Sequence, residues 1–260
     1  MSIIENTWAQ GRIAFISGAT SGFGQALARR ILAAGGKVIA TGRRTDRLDA
    51  FAQERDTPNL LTLELDVTDP KAIESAIDNL PPSFQAIDIL FNNAGLALGI
   101  KGAHEASLKD WDTMIATNIS GLVHLTHKVL QGMVARNSGD IVNVGSVAGS
   151  YPYPGGNVYG ATKAFVHQFS LNLRADLLGK NIRVTSFEPG MCETEFSEVR
   201  FGGDKTVAAK VYAGANPLSA DDVALTIEGV LRLPSHINVN TIEIMPVCQA
   251  FSPFAVHRET

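Results

Sequence analysis

The stretch RIAFISGATSGFG, residues 12–24, decides the fold. Arg12–Ser17 is a near-continuous apolar run, the pattern of a strand buried on both faces. A glycine trio spaced GxxxGxG follows, and Phe23–Ala34 continues with helical periodicity. Gly18, Gly22 and Gly24 allow a tight turn in which the backbone can approach a pyrophosphate at the positive end of the helix. Thr20, Ser21 and Phe23 lie in the same turn and join the glycines as candidate cofactor contacts. Such turns also occur for packing alone, but this one is the first strand-to-helix turn of the chain, which favours a dinucleotide.

Outward from this turn, short apolar runs alternate with helical patterns to the end of the chain. Strands are expected at 37–41, 60–65, 87–92, 140–145, 182–188 and 241–245. Helices are expected at 45–55, 70–80, 108–135, 159–178 and 220–233. Val/Ile/Leu-rich strands alternating with helices indicate a parallel sheet covered on both faces. No stretch has the composition of an interdomain linker and no repeat occurs. The expectation is one α/β domain over residues 1–260, a doubly wound Rossmann domain with about seven strands. A substrate flap is expected at about 191–213 and a tail at 246–260, with Phe251–Arg258 read as a subunit contact.

Composition limits the function. The chain has 260 residues, 45% hydrophobic and 18% charged, enough to bury a large core. Its formal net charge of −4 argues against nucleic acid or an anionic membrane held by bulk charge, so a bound anion needs a local cluster of donors. Cys192 and Cys248 form no CxxC, which argues against a disulfide scaffold or a structural zinc site. His124 and His127 share a helix with no third ligand nearby, and no metal is expected. The start MSIIENTWAQGR lacks a secretory pattern, and no window offers the about 20 apolar residues of a membrane span. A cytoplasmic location is expected.

The second strand ends in Thr41-Gly42-Arg43-Arg44. An acid near this point would suit the ribose 2′-hydroxyl of NAD, whereas arginines suit the 2′-phosphate of NADP. Arg43 and Arg44 therefore point to NADP(H), against the alternative of a solvated basic loop. Asn92-Asn93-Ala94-Gly95 follows the fourth strand at the sheet's carboxyl edge, making Asn92, Ala94 and Gly95 candidate cofactor contacts. Ser146 follows the fifth strand, and Tyr159 and Lys163 share one helical face. A free tyrosine has a pKa of about 10, too high for ready proton exchange near neutrality. An ammonium one turn away favours the phenolate. Ser146 would hold the reacting oxygen while Tyr159 moves the proton.

GxxxGxG, NNAG, Ser146, YxxxK and Pro189-Gly190 after the sixth strand together resemble the short-chain dehydrogenase/reductase family, from about Gly11 to Met245. Ser17 stands where many relatives have Thr and keeps the hydroxyl. The resemblance implies that Asn118 joins Ser146, Tyr159 and Lys163 as a catalytic member, organising a proton-relay water beside the lysine. It implies further cofactor contacts from Asp66 and Val67 at the adenine and from Pro189, Gly190 and Thr194 at the nicotinamide end.

ATGRRTDRL (40–48), NNAGLALG (92–99), PGGNVYGATKAFVHQFSLNLRADL (154–177) and the terminal MPV…VHR are similar to the 3-hydroxy-acid dehydrogenase group, which includes malonic semialdehyde and sulfoacetaldehyde reductases. That likeness implies NADP(H), a homotetramer and a short anionic aldehyde or alcohol. Within the flap, Arg200 is a candidate clamp for the anion, or a surface arginine paired with Glu195 or Glu198. Tyr151 and Tyr153 could offer hydroxyls or serve as packing. Trp is the expectation at position 151 for enzymes of 3-hydroxy acids, and an added hydroxyl would suit a sulfonate's third oxygen. Two other readings remain: a reductase of apolar carbonyls, and a non-catalytic NADPH-binding sensor on the same fold. The polar flap disfavours the first, and the presence of all four catalytic residues disfavours the second.

Overall fold

Alternate residues of the first strand, β1 (Ile13–Ser17), pack to opposite sides. Ala14 and Ile16 join one buried layer with Leu27, Ile31, Val223 and Ile227, while Ile13 and Phe15 join another with Ile73, Leu125, Val129 and Leu173. These layers are the two faces of one sheet. The computed structural model describes residues 7–251.

The sheet also contains β2 (Lys37–Gly42), β3 (Leu60–Glu64), β4 (Ile89–Asn92), β5 (Gly139–Val144), β6 (Ile182–Pro189) and β7 (Thr241–Ile244). Its order is β3-β2-β1-β4-β5-β6-β7, and every pairing is parallel. The winding reverses between β1 and β4, and loops leaving their carboxyl ends part there to form a crevice.

Helices α1 (Gly22–Ala33), α2 (Thr45–Arg55) and α3 (Pro70–Asp78) follow the first three strands. Asp69 caps α3 by accepting from the amides of Lys71 and Ala72, with Pro70 at the first helical position. The helix expected at 108–135 is interrupted. It consists of α4 (Leu108–Ile115), a π-helical turn at Ala116–Gly121 and α5 (Leu122–Arg136). Such a wider turn holds an extra residue and redirects a side chain without ending the helix. Next comes α6 (Asn157–Asp176).

The segment after β6 contains α7 (Phe196–Arg200) and α8 (Lys205–Lys210), neither marked by sequence periodicity. Its neck is closed: the Leu218 amide donates to Met191 O at 3.0 Å, and the Glu193 amide donates to Leu218 O at 2.8 Å. The chain then enters α9 (Ala220–Leu231), which starts with a reciprocal Ser219–Asp222 capping box. The tail beyond Phe251, read from sequence as a subunit contact, lies outside the described residues. Among the described residues, no helix is long and apolar enough to cross a membrane.

Candidate active site

The carboxyl ends of β1, β4, β5 and β6 open into a cavity of about 720 Å³. Arg43 and Arg44 line one end, and Tyr153 and Arg200 line the other. Beneath it lies a buried relay of amides and hydroxyls. Asn92 Nδ2 donates to Thr126 Oγ1 and Asn143 Oδ1, both at 2.8 Å, and Asn143 Nδ2 donates to Ser170 Oγ at 2.9 Å. Asn92 is thus engaged behind the cavity wall, which Asn93, Ala94 and Gly95 line instead.

Ser146, Tyr159 and Lys163 meet on the wall. Lys163 Nζ donates to Val144 O at 2.7 Å and lies 5.9 Å from the Tyr159 ring centre. Burial lowers the Lys163 ammonium to about 8. Burial raises Tyr159 well above its ordinary value, opposed by the Ser146 hydrogen bond and the Arg200 charge. Burial thus outweighs the lowering expected from Lys163, and Tyr159 is held as a protonated phenol that can give a proton to a developing alkoxide. Asn118 lies within the π-helical turn, and its amide is held by Leu96 and Thr162. Asn118 Oδ1 and Lys163 Nζ flank Gly95, within 3.3 and 3.6 Å of where a Cβ would stand.

The cofactor end fits a dinucleotide. Gly18 has φ +69° and Gly22 φ +55°, values that favour glycine, and a Cβ on Gly18 would lie 3.0 Å from Ala94 Cα. Gly24 is turned away: a Cβ there would lie 2.4 Å from Gly18 O, so its absent side chain serves helix–strand packing. Gly18, Thr20, Ser21, Gly22, Phe23, Asp66, Val67, Pro189, Gly190 and Thr194 all line the cavity. Arg44 Nη2 donates to Thr20 Oγ1 and Ser21 Oγ, both at 2.8 Å, while Arg43 stays largely exposed beside Asp66 at 3.8 Å. The buried Thr117 hydroxyl also lines the cavity and has no hydrogen-bond partner among the described residues.

At the other end, Arg200 Nη2 donates to Tyr153 Oη at 2.9 Å, and the guanidinium carbon lies 5.9 Å from the Tyr159 ring centre. Arg200 is not paired with Glu195, which binds Arg44 and Arg47. Tyr151 donates to Glu243 Oε1 at 3.2 Å and packs on Phe251, so its hydroxyl proton is committed away from an anion. Sequence reasoning missed Gln249, which lines the cavity and accepts from the Met191 amide at 2.6 Å through Oε1. No local pattern marks it, because the loop after β7 brings it there. Burial and the Asp222 charge raise the Cys192 thiol to about 12, which suits packing rather than nucleophilic attack.

A match to the family described as short chain dehydrogenase covers residues 12–203 and includes the glycine turn, Ser146, Tyr159 and Lys163. The chain belongs to that family. This short-chain dehydrogenase is 54% identical over 247 residues to the NADP-dependent 3-hydroxy acid dehydrogenase YdfG of Salmonella typhi, covering 95% of this chain and 99% of the relative. It is 55% identical over 245 residues to serine 3-dehydrogenase of Agrobacterium fabrum, covering 94% and 98%. A solved closed form of serine dehydrogenase complexed with NADP+ matches with a TM-score of 0.94 and 54% identity, covering 95% of this chain and all (100%) of that one. The short-chain dehydrogenase described here is an NADP(H)-dependent oxidoreductase acting on CH–OH groups.

Proposed function

We propose that the protein interconverts a short aldehyde bearing a terminal anion and the corresponding hydroxy acid. One observation carries this reading: Arg200 sits 5.9 Å from the Tyr159 ring and is braced by Tyr153. A carbonyl at Tyr159 and an anion at Arg200 can then belong to one molecule only a few atoms long. NADP(H) bound along the cavity supplies or takes up the hydride. Ser146 holds the carbonyl oxygen, Tyr159 gives it the phenolic proton, and the Lys163 charge stabilises the phenolate left behind.

Three groups on the cavity wall can donate to the anion: the Arg200 guanidinium, the Tyr153 hydroxyl and the Gln249 amide. A sulfonate has three acceptor oxygens and a carboxylate two, so the donor count favours sulfoacetaldehyde/isethionate. The relatives' 3-hydroxy acid and serine dehydrogenase names favour malonic semialdehyde/3-hydroxypropionate. Both fit the same clamp, and the two anions stand nearly even. The homotetramer is retained as the assembly, with an α6 surface bearing the stacked Phe165 and Phe169 available for subunit contact.

NADPH oxidation is measured with sulfoacetaldehyde, malonic semialdehyde and propanal side by side. Both anionic aldehydes should exceed propanal in kcat/KM by about tenfold or more, from loss of a charge-assisted contact. Equal rates on propanal would make this a reductase of apolar carbonyls, and no turnover with any of the three would favour the sensor.

A further inference from the structure

Glu195 bridges two arginines that come from a distant part of the chain. Its Oε2 accepts from Arg44 Nη1 at 2.8 Å and its Oε1 from Arg47 Nη1 at 2.5 Å. Burial raises the Glu195 carboxyl, but the hydrogen bonds and charges of Arg44 and Arg47 outweigh it and bring it down to about 2. Glu195 is therefore an anion at every working pH. Arg44 and Glu195 line the cavity, whereas Arg47 does not.

Glu195 also immediately precedes α7, and that short helix spans the site. Phe196, its first residue, packs on Tyr159 with ring centres 5.6 Å apart. Arg200, its last, reaches Tyr153, and its carbonyl accepts from the Gly99 amide at 3.1 Å. Five helical residues cover about 7.5 Å. A shift at Glu195 is thus carried to Arg200 with no flexible joint between them. Tyr212 Oη donates to Cys192 O and accepts from Ser197 Oγ, bonds that fasten the flap to itself rather than to the sheet domain.

We propose that Glu195 is a positioning residue that anchors α7 to Arg44 and Arg47, and so holds Arg200 where the substrate's anion binds. This rests on the reading of Arg200 as the anion clamp. It also joins the two ends of the cavity, because Arg44 belongs to the cofactor's 2′-phosphate end. A loosened anchor lets Arg200 drift from Tyr153 and weakens substrate binding without touching the proton-transfer residues.

The test compares Glu195→Gln, Arg47→Met and Arg200→Met with the parent protein, using sulfoacetaldehyde or malonic semialdehyde against propanal at saturating NADPH. Glu195→Gln and Arg47→Met should each raise KM for the anionic aldehyde about three- to tenfold, the scale of a coupled ion-pair network. Their kcat, and KM for propanal, should stay within about twofold. Arg200→Met should raise the anionic KM further. An unchanged anionic KM in both anchor variants, with Arg200→Met impaired, overturns the anchor and leaves the clamp standing. An unchanged anionic KM in Arg200→Met overturns the clamp itself and the anchor with it. Equal rises for anionic and neutral aldehydes in the anchor variants reduce Glu195 to general flap stability and also overturn the proposal.

Discussion

Asn118 and Leu96 exchange two hydrogen bonds: the Leu96 amide donates to Asn118 Oδ1 at 2.9 Å, and Asn118 Nδ2 donates to Leu96 O at 2.8 Å. The side chain thus replaces a strand partner for the segment leaving β4, which carries Ala94 and Gly95 along the cavity. Asn118→Ala strands both Leu96 groups in the interior. Urea unfolding should show a loss of about 1–3 kcal/mol. Turnover should fall as well, because Gly95 and Lys163 lose their shared neighbour; unchanged turnover would separate Asn118 from catalysis.

Tyr159→Phe removes the proton donor and keeps the buried ring against Phe196. Reduction should slow by about 10²- to 10⁴-fold, the range of a positioned acid. NADPH affinity, followed by its fluorescence, should change little. Retained turnover would rule out Tyr159 as the acid.

Arg43 and Arg44 line the cavity end that we assign to the 2′-phosphate. Replacing Arg43 with Leu, which leaves the Arg44 bonds to Thr20 and Ser21 in place, should weaken NADPH about tenfold or more and NADH hardly at all. Equal losses for both cofactors would detach Arg43 from the 2′-phosphate.

Lys163 gives the pH dependence. Its folded value of about 8 lies below the 10.5 of an unperturbed lysine. The native state therefore binds fewer protons than the unfolded chain between those limits, and stability rises with pH there. The penalty for the buried charge is fully present below pH 8 and is relieved on approaching 10.5. Melting temperatures of the parent relative to Lys163→Met should thus improve from pH 7 to about 9.5. A flat difference would mean that the ammonium is not strained by burial.

Strands such as β1 and β4 were legible because they are covered on both sides, and their sequences record this as near-continuous apolar runs. The catalytic pair was legible because Tyr159 and Lys163 lie one turn apart. The π-helical turn at Asn118 was not, since a single extra residue barely disturbs a helical period. Nor was the partner of Arg200: Glu195 and Glu198 are its sequence neighbours, yet Tyr153 lies across the cavity and Glu195 is claimed by Arg44 and Arg47. Asn92 reads as a ligand contact from its place after β4, and only the fold reveals that Thr126 and Asn143 take its amide. Contacts across the sheet leave no trace in local spacing.

The neck at Met191–Glu193 and Leu218 closes the flap off as a loop of its own, joined to the rest through a few side-chain contacts. Proton transfer is assigned to residues outside it, while Arg200, proposed as the anion clamp, lies within it. A graft of the 25 residues between the closing hydrogen bonds (193–217) from another family member would change what is recognised and leave Ser146, Tyr159 and Lys163 in place. Selection can therefore retune such an enzyme one loop at a time, without reopening its core.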